Sequence, residues 1–186
     1  MAEWNKKRNT IHHYNQLAPV YDTQYADEQT EKIEATLENV SLSKNDFVLD
    51  VGCGTGLLFP YIASRVQLLI GIDTSQKLIK KAKTHKKPYP NTHIILADAD
   101  HLPFANQTFH TIFAITLLQN IPKPSTTLQE IKRVSINQAT IAVTGLKKEF
   151  TEDSLAKLLK DAKLKIQKLK TNNHSKDYIA VCSQSP

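Results

Sequence analysis

Glycine is scarce in this chain: five residues in 186. Cysteine is scarcer still. Cys53 and Cys182 are the only two, which make neither a disulfide framework nor the paired spacing of a zinc site. No apolar run approaches the roughly 20 residues that a membrane-spanning helix needs. The opening Met1-Ala2-Glu3-Trp4-Asn5-Lys6-Lys7-Arg8 lacks the apolar stretch of a secretory signal. Together these absences predict a cytoplasmic protein. Internal repeats and low-complexity tracts are missing too. Hydrophobic residues at 40% and charged residues at 23% are ordinary for a globular domain, and the length suits one domain with a sizeable core. Acids are outnumbered, 18 against 24 Lys and Arg, for a net charge of +6. That excess permits an acidic or nucleic-acid partner without specifying one.

Because glycine is rare, its placement is informative. Three of the five fall in Val48-Leu49-Asp50-Val51-Gly52-Cys53-Gly54-Thr55-Gly56. The β-formers Phe47 to Val51 lead into this stretch, and Leu57, Leu58, Tyr61 and Ile62 follow at helical spacing. The pattern predicts strand, tight turn, helix. A plain turn needs one glycine. Three predict a backbone that turns sharply or meets a ligand with no Cβ in the way.

Along the rest of the chain, apolar periodicity predicts a helix over Glu28 to Val40, a strand over Leu68 to Ile72, and a helix capped by Thr74 or Ser75 with Leu78, Ile79 and Ala82 inward. Strands follow at Ile94 to Ala97 and Phe109 to Thr116, a helix from Pro124 through Val134, and a strand at Ala139 to Val143. Thr151-Glu152-Asp153 starts an amphipathic helix with acids suited to its dipole. Leu164 to Leu169 and Tyr178 to Cys182 close the chain as two strands joined by a polar loop, Thr171 to Asp177. Strands alternating with helices predict an α/β fold with a mostly parallel sheet. The final pair has no helix between its strands and must form an antiparallel hairpin.

Ligands of such sheets bind beyond the carboxyl ends of the strands. Four of those ends carry glycine or polar residues: Gly52 to Gly56, Asp73, Asp98, and Thr116 to Gln119. The glycine spacing is G-x-G-x-G rather than the G-x-G-x-x-G of dinucleotide sites. Asp50 sits two places before the first glycine, where it would repel a pyrophosphate but favour a cationic ligand. Asp73 is placed to accept from ribose hydroxyls, and Asp98 from an adenine amino group with Ala99 beside the ring. Adenosine joined to a cationic amino-acid tail is S-adenosylmethionine.

These residues belong to a longer series: Tyr14, Ala18, Tyr21 and Asp22; VLDVGCGTG from Val48; GIDTS from Gly71; ADADHLPF from Ala97; FHTIFAITLLQNIPKP from Phe109; and LQEIKRV from Leu128. In this order the chain resembles a class I S-adenosylmethionine-dependent methyltransferase of the methyltransferase type 11, ubiquinone-biosynthesis-like, kind. The resemblance implies a Rossmann-like, seven-stranded sheet in order 3-2-1-4-5-7-6 with strand seven antiparallel. It implies one domain over residues 1–186, with a helical cap over 1–45 and the core over 46–186. The cofactor residues it implies are Tyr21, Asp50, Gly52, Cys53, Gly54, Gly56, Asp73, Thr74, Asp98, Ala99, Thr116 and Gln119. No metal is expected, and no catalytic base is singled out. Three positions depart from the pattern: His110 where Asp is usual, Gln119-Asn120 at a His-type position, and Ser135-Ile136-Asn137-Gln138 in place of a Lys-Pro-Gly-Gly turn.

Methyl transfer is an in-line displacement that depends chiefly on positioning. A base helps when the nucleophile is protonated; His12, His13, Tyr14, Tyr25, Asp100 and His101 are candidates near the mouth. Gly145 connects to Thr151 through only Leu146-Lys147-Lys148-Glu149-Phe150, too short for a substrate lid. That favours a macromolecular acceptor, RNA or protein, over a quinone or other metabolite. The same fold also serves non-catalytic partner proteins. The apolar strand His93 to Ala97 lacks the charges that blunt sheet edges, so a small activator protein is a candidate partner there.

Overall fold

Phe47–Val51 forms β1, and Val48 to Val51 are buried. A strand covered on both faces belongs at the centre of a parallel sheet. The computed structural model describes residues 2–171 and 175–184. Two helices, α1 (Ala2–Leu17) and α2 (Tyr21–Leu37), precede β1. There follow α3 (Phe59–Ile62), β2 (Leu68–Asp73), α4 (Gln76–His85), β3 (Thr92–Leu96), β4 (Phe109–Ala114), α5 (Pro124–Val134), β5 (Ser135–Leu146), α6 (Glu152–Asp161), β6 (Leu164–Lys170) and β7 (Asp177–Gln184). The sheet order is β3-β2-β1-β4-β5-β7-β6. β1 to β5 pair in parallel, and β7 runs antiparallel to both β5 and β6. This is the order and the hairpin expected from the sequence. Among the described residues no helix is long and apolar enough to cross a membrane.

Successive strand residues face opposite ways, so two apolar layers form. Leu49, Val51, Ile72 and Ile112 pack with Leu128, Ile131, Leu155 and Leu159 on one side. Val48, Leu69 and Phe113 pack with Ile33, Phe59, Ile62 and Ala82 on the other. Burying each such side chain stabilises the fold by about 1.5–3 kcal/mol.

Three expectations need correction, and one choice is decided. The helix expected from Glu28 begins at Tyr21 and ends at Leu37, because its first turns are polar and carry no apolar stripe to signal them. The helix expected after the glycines shrinks to Phe59–Ile62, followed by a 3-10 turn over Ala63–Arg65. Pro60 lies in its first turn, where a missing N–H is tolerated but a turn further in would not be. Between Thr74 and Ser75, Ser75 is the cap of α4, accepting from the Leu78 N–H. The strand expected over Ala139 to Val143 runs from Ser135 to Leu146, so Ser135 to Gln138, which stand where the family turn would be, begin β5, with a left-handed Gln138 (φ 65°) and a register shift opposite Phe109 to Thr111. His110, the other local departure, uses Nδ1 to accept from the Phe47 N–H at 3.1 Å. Part of the loop Thr171 to Asp177 lies outside the described residues.

Candidate functional site

The turn after β1 makes the floor. Gly52, Gly54 and Gly56 have φ of 77°, 56° and 83°, the left-handed region that L side chains avoid. Their surroundings differ. A Cβ on Gly52 would come within 2.8 Å of Leu117, and one on Gly56 within 2.4 Å of the Phe59 ring; at Gly54 nothing lies within 4 Å. Gly52 and Gly56 therefore serve close packing, while Gly54 borders open space.

That space is a cleft of about 740 Å³, partly open to solvent, beyond the carboxyl ends of the strands. Tyr21, Gly52, Gly54, Asp73, Thr74, Asp98, Ala99 and Thr116 line it. Asp50 and Cys53 line an adjoining cavity of about 380 Å³ that shares Tyr21, Gly52 and Gly54. Gln119 lines neither. It borders a cavity of about 550 Å³ with His13, Tyr25, Gln29 and Lys32, and this cavity shares Tyr14, Tyr21, Thr116 and Asn120 with the main cleft. Gly56 lines none of the three.

Asp73 is held from two sides. The Gly54 N–H donates to Oδ2 at 2.9 Å and the Ser75 N–H to Oδ1 at 2.8 Å. Burial raises its pKa against the lowering effect of these backbone donors. Each oxygen keeps a second lone pair for a ligand hydroxyl. Asp50, only 4% exposed, has a carboxyl pushed up to about 8, by burial first and by Asp73 second. No cation pairs with it among the described residues. Burial, Asp50 and Asp73 also push the Cys53 thiol well up, which keeps it protonated and poorly nucleophilic. Burial raises Tyr14 and Tyr21 as well, with further contributions from Asp73 in both.

Beyond a helical cap and Tyr14 near the mouth, the sequence did not reveal which residues of α1 line the cleft. Lys7, Thr10, Ile11 and Tyr14 line the main cleft, and their spacing places them on one helix face. That spacing is the signal, but only Ile11 is aliphatic, so an apolar search passes over it. Lys7 points inward: its Nζ donates to both oxygens of Asp98, at 2.8 and 2.6 Å. Of the candidate bases, His13, Tyr14 and Tyr25 border the third cavity. His12 and His101 are exposed, and Asp100 is bound to Lys7 and Thr127.

Helix α2 supplies a buried polar floor to the third cavity. Lys32 Nζ donates to Thr116 Oγ1 at 3.0 Å, and Thr116 Oγ1 donates to Gln29 Oε1 at 3.0 Å. Lys32 Nζ also lies 2.8 Å from Asp177 Oδ2. Neither Asp177 oxygen makes a well-angled hydrogen bond, so this pairing is chiefly electrostatic. Thr116 has a left-handed φ of 58° and its N–H donates to Thr144 Oγ1 at 2.8 Å. Strained backbone of this kind persists where the surroundings fix it.

The arrangement offers a carboxylate for a diol, a buried carboxyl that a cation would ionise, an open glycine whose N–H holds the first carboxylate, and a neighbouring cavity for a second reactant. A family model described as a methyltransferase domain matches residues 49–143. The malonyl-[acyl-carrier protein] O-methyltransferase of Marinomonas sp. is 29% identical over 130 residues, 69% of this chain and 48% of that protein. The tRNA U34 carboxymethyltransferase of Pseudoalteromonas atlantica is 29% identical over 115 residues, 60% of this chain and 34% of that protein. The chain thus spans about half the length of the first relative and a third of the second. Among solved structures, the complex of the Haloferax volcanii Trm112 methyltransferase activator with a methyltransferase matches with a TM-score of 0.83 at 14% identity, covering 93% of this chain and 98% of that one. The magnesium protoporphyrin IX methyltransferase of Synechocystis with bound S-adenosylmethionine matches with a TM-score of 0.70 at 19% identity, covering 89% and 83%.

Proposed function

Since this chain belongs to the S-adenosylmethionine-dependent methyltransferases, we propose that it moves a methyl group from that cofactor to a nucleophile of RNA or protein presented in the cavity beside Gln119. The observation that carries the reading is Asp73, fixed by the Gly54 and Ser75 N–H groups at the edge of a cleft that Gly54 leaves open. The residues fit the cofactor. Asp73 accepts from the ribose hydroxyls, and Asp98 with Ala99 meets the adenine. Gly52, Cys53 and Gly54 would border the methionine part, and its ammonium would favour the ionised form of Asp50, which then carries the opposing charge. Thr74 borders the ribose, Tyr21 covers the cofactor, and Thr116 and Gln119 face the donor end. Residues 1–45 act as the cap on a core of 46–186.

The bound cofactor supplies a methyl carbon already activated by a sulfonium. The chain supplies position. Tyr14, Tyr21, Thr116 and Asn120 wall both the cleft and the neighbouring cavity, so a nucleophile seated there meets the donor end without crossing bulk water. Exclusion of water and alignment carry most of such a rate gain. His13, on the same wall, is the group placed to receive a proton.

A macromolecular acceptor is favoured because the link Lys147 to Phe150 between β5 and α6 makes only a short turn. It leaves the cover of the site to α1 and α2. Exposed Lys6, Arg8 and Lys148 are basic residues of these segments and suit an anionic partner. The edge strand β3, with Leu96 50% exposed, is the surface for a small activator protein. Transfer of labelled methyl into separated RNA, protein and metabolite pools tests the reading. Label in RNA or protein is expected. Label confined to metabolites would overturn the acceptor class, and tight cofactor binding with no transfer to any pool would make the chain a binding partner rather than an enzyme.

A further inference from the structure

Helix α1 covers the cleft, yet most of its residues are exposed. Polar contacts hold it instead. At its carboxyl end Asn15 Oδ1 accepts from Ser75 Oγ at 2.9 Å and from the Lys77 N–H at 3.2 Å. Towards its amino end, Lys7 Nζ reaches both Asp98 oxygens and lies 2.6 Å from Asp100 Oδ2. The Lys7 side chain is 15% exposed, and the Asp98 and Asp100 side chains 29% and 10%. Asp100 is held further by Thr127 Oγ1 on α5, and its own N–H donates to Asp98 Oδ1 at 3.0 Å.

This differs from a surface ion pair. Two carboxylates converge on one ammonium that is largely out of water. Without that cation the two carboxylates would repel one another and move apart. Asp98 and Lys7 also line the same cleft as Asp73. The direction of the Asp98 carboxylate, which a ligand would read as a hydrogen-bond acceptor, therefore depends on a residue of the cap.

We propose that Lys7 is a positioning residue for the cofactor: it holds the Asp98 carboxylate aimed at the adenine amino group, and so makes α1 part of the recognition of adenosine. This rests on the reading of the cleft as the S-adenosylmethionine site. Lys7 thereby couples cap closure to the base in the cleft. A purine offering a carbonyl where adenine offers its amino group meets an acceptor with an acceptor, and the site rejects it.

Calorimetric titration with S-adenosylhomocysteine and with S-inosylhomocysteine tests this in the whole chain. For Lys7→Met the adenosyl ligand is expected to bind about tenfold more weakly, the scale of a lost charged hydrogen bond. The preference for adenosyl over inosyl should also shrink. Lys7→Arg, which keeps the charge, should restore most of both. Asp100→Asn, which leaves Lys7 and Asp98 in place, should give a smaller loss. Loss of packing alone would weaken both ligands equally, so an unchanged preference in Lys7→Met overturns the proposal. Asp73→Ala separates the two levels. If it abolishes binding while Lys7→Met does not alter the preference, the site stands and the role of Lys7 falls; if Asp73→Ala binds normally, the site itself is misassigned.

Discussion

Asp50 and the three glycines carry the sharpest consequences at the scale of single residues. A carboxyl raised to about 8 holds its proton in the folded chain over a range where the unfolded chain, with an ordinary aspartate near 4, has lost it. Between those values the native state binds more protons, so this group lowers stability as pH rises from about 4 to 8. Asp50→Asn should therefore stabilise the ligand-free chain at pH 8 by more than at pH 4, a difference on the order of a few kcal/mol seen as a larger rise in thermal midpoint, while weakening binding of the cationic cofactor. Equal midpoint shifts at both pH values would contradict the assignment. The glycines separate packing from binding. Gly56→Ala drives a Cβ into Phe59 and should lower stability by about 1–3 kcal/mol or more. Gly54→Ala meets no neighbour, so its cost should stay near the roughly 1–2 kcal/mol of a left-handed residue, with the larger effect on cofactor affinity. Paired denaturant melts and titrations check the contrast.

Helix α2 shows what an element contributes beyond its own propensity. Its Val20 cap makes no side-chain hydrogen bond, and its attachment to the sheet runs through Ile33 and the buried Lys32. Lys32 is 5% exposed and Asp177 is fully buried. Lys32→Met strands the Asp177 carboxylate in the interior and should cost about 3–5 kcal/mol. Replacing both, as Lys32→Met with Asp177→Leu, should recover much of that loss, because no charge is then left unpaired. A double variant as unstable as the single one in urea melts would show that the pair does more than neutralise charge. Ser75 is a local counterpart: its side chain caps α4 and holds Asn15 of α1, so one short sequence both starts a helix and docks the cap.

Across the whole molecule, the sheet leaves β3 at one edge and β6 at the other. β6 carries Lys165, Lys168 and Lys170, all exposed, the charged blunting expected of a free edge. β3 has no lysine; Ile94 and Ile95 are half-buried and Leu96 is exposed. The asymmetry fits a partner strand on β3. Leu96→Lys should leave cofactor binding in place and abolish co-purification with such a partner. A chain that is monomeric, soluble and fully active alone would remove the reason for one.

The glycine turn, the strand-end carboxylates Asp73 and Asp98, and the antiparallel closing hairpin were legible because each depends on neighbours in sequence. Backbone conformation after β1 is set by three glycines within five residues, and alternating apolar strands fix which ends face the ligand. By contrast, Lys7 with Asp98, Lys32 with Asp177, and Asn15 with Ser75 join residues 91, 145 and 60 positions apart. No periodicity encodes such pairs. Nor did the sequence show that Gln119 lines a cavity beside the main cleft, or that Gly56 packs against Phe59. Short-range sterics and hydrophobic pattern act along the chain and can be read there; electrostatic partners and shared cavity walls exist only after the sheet has brought distant segments together.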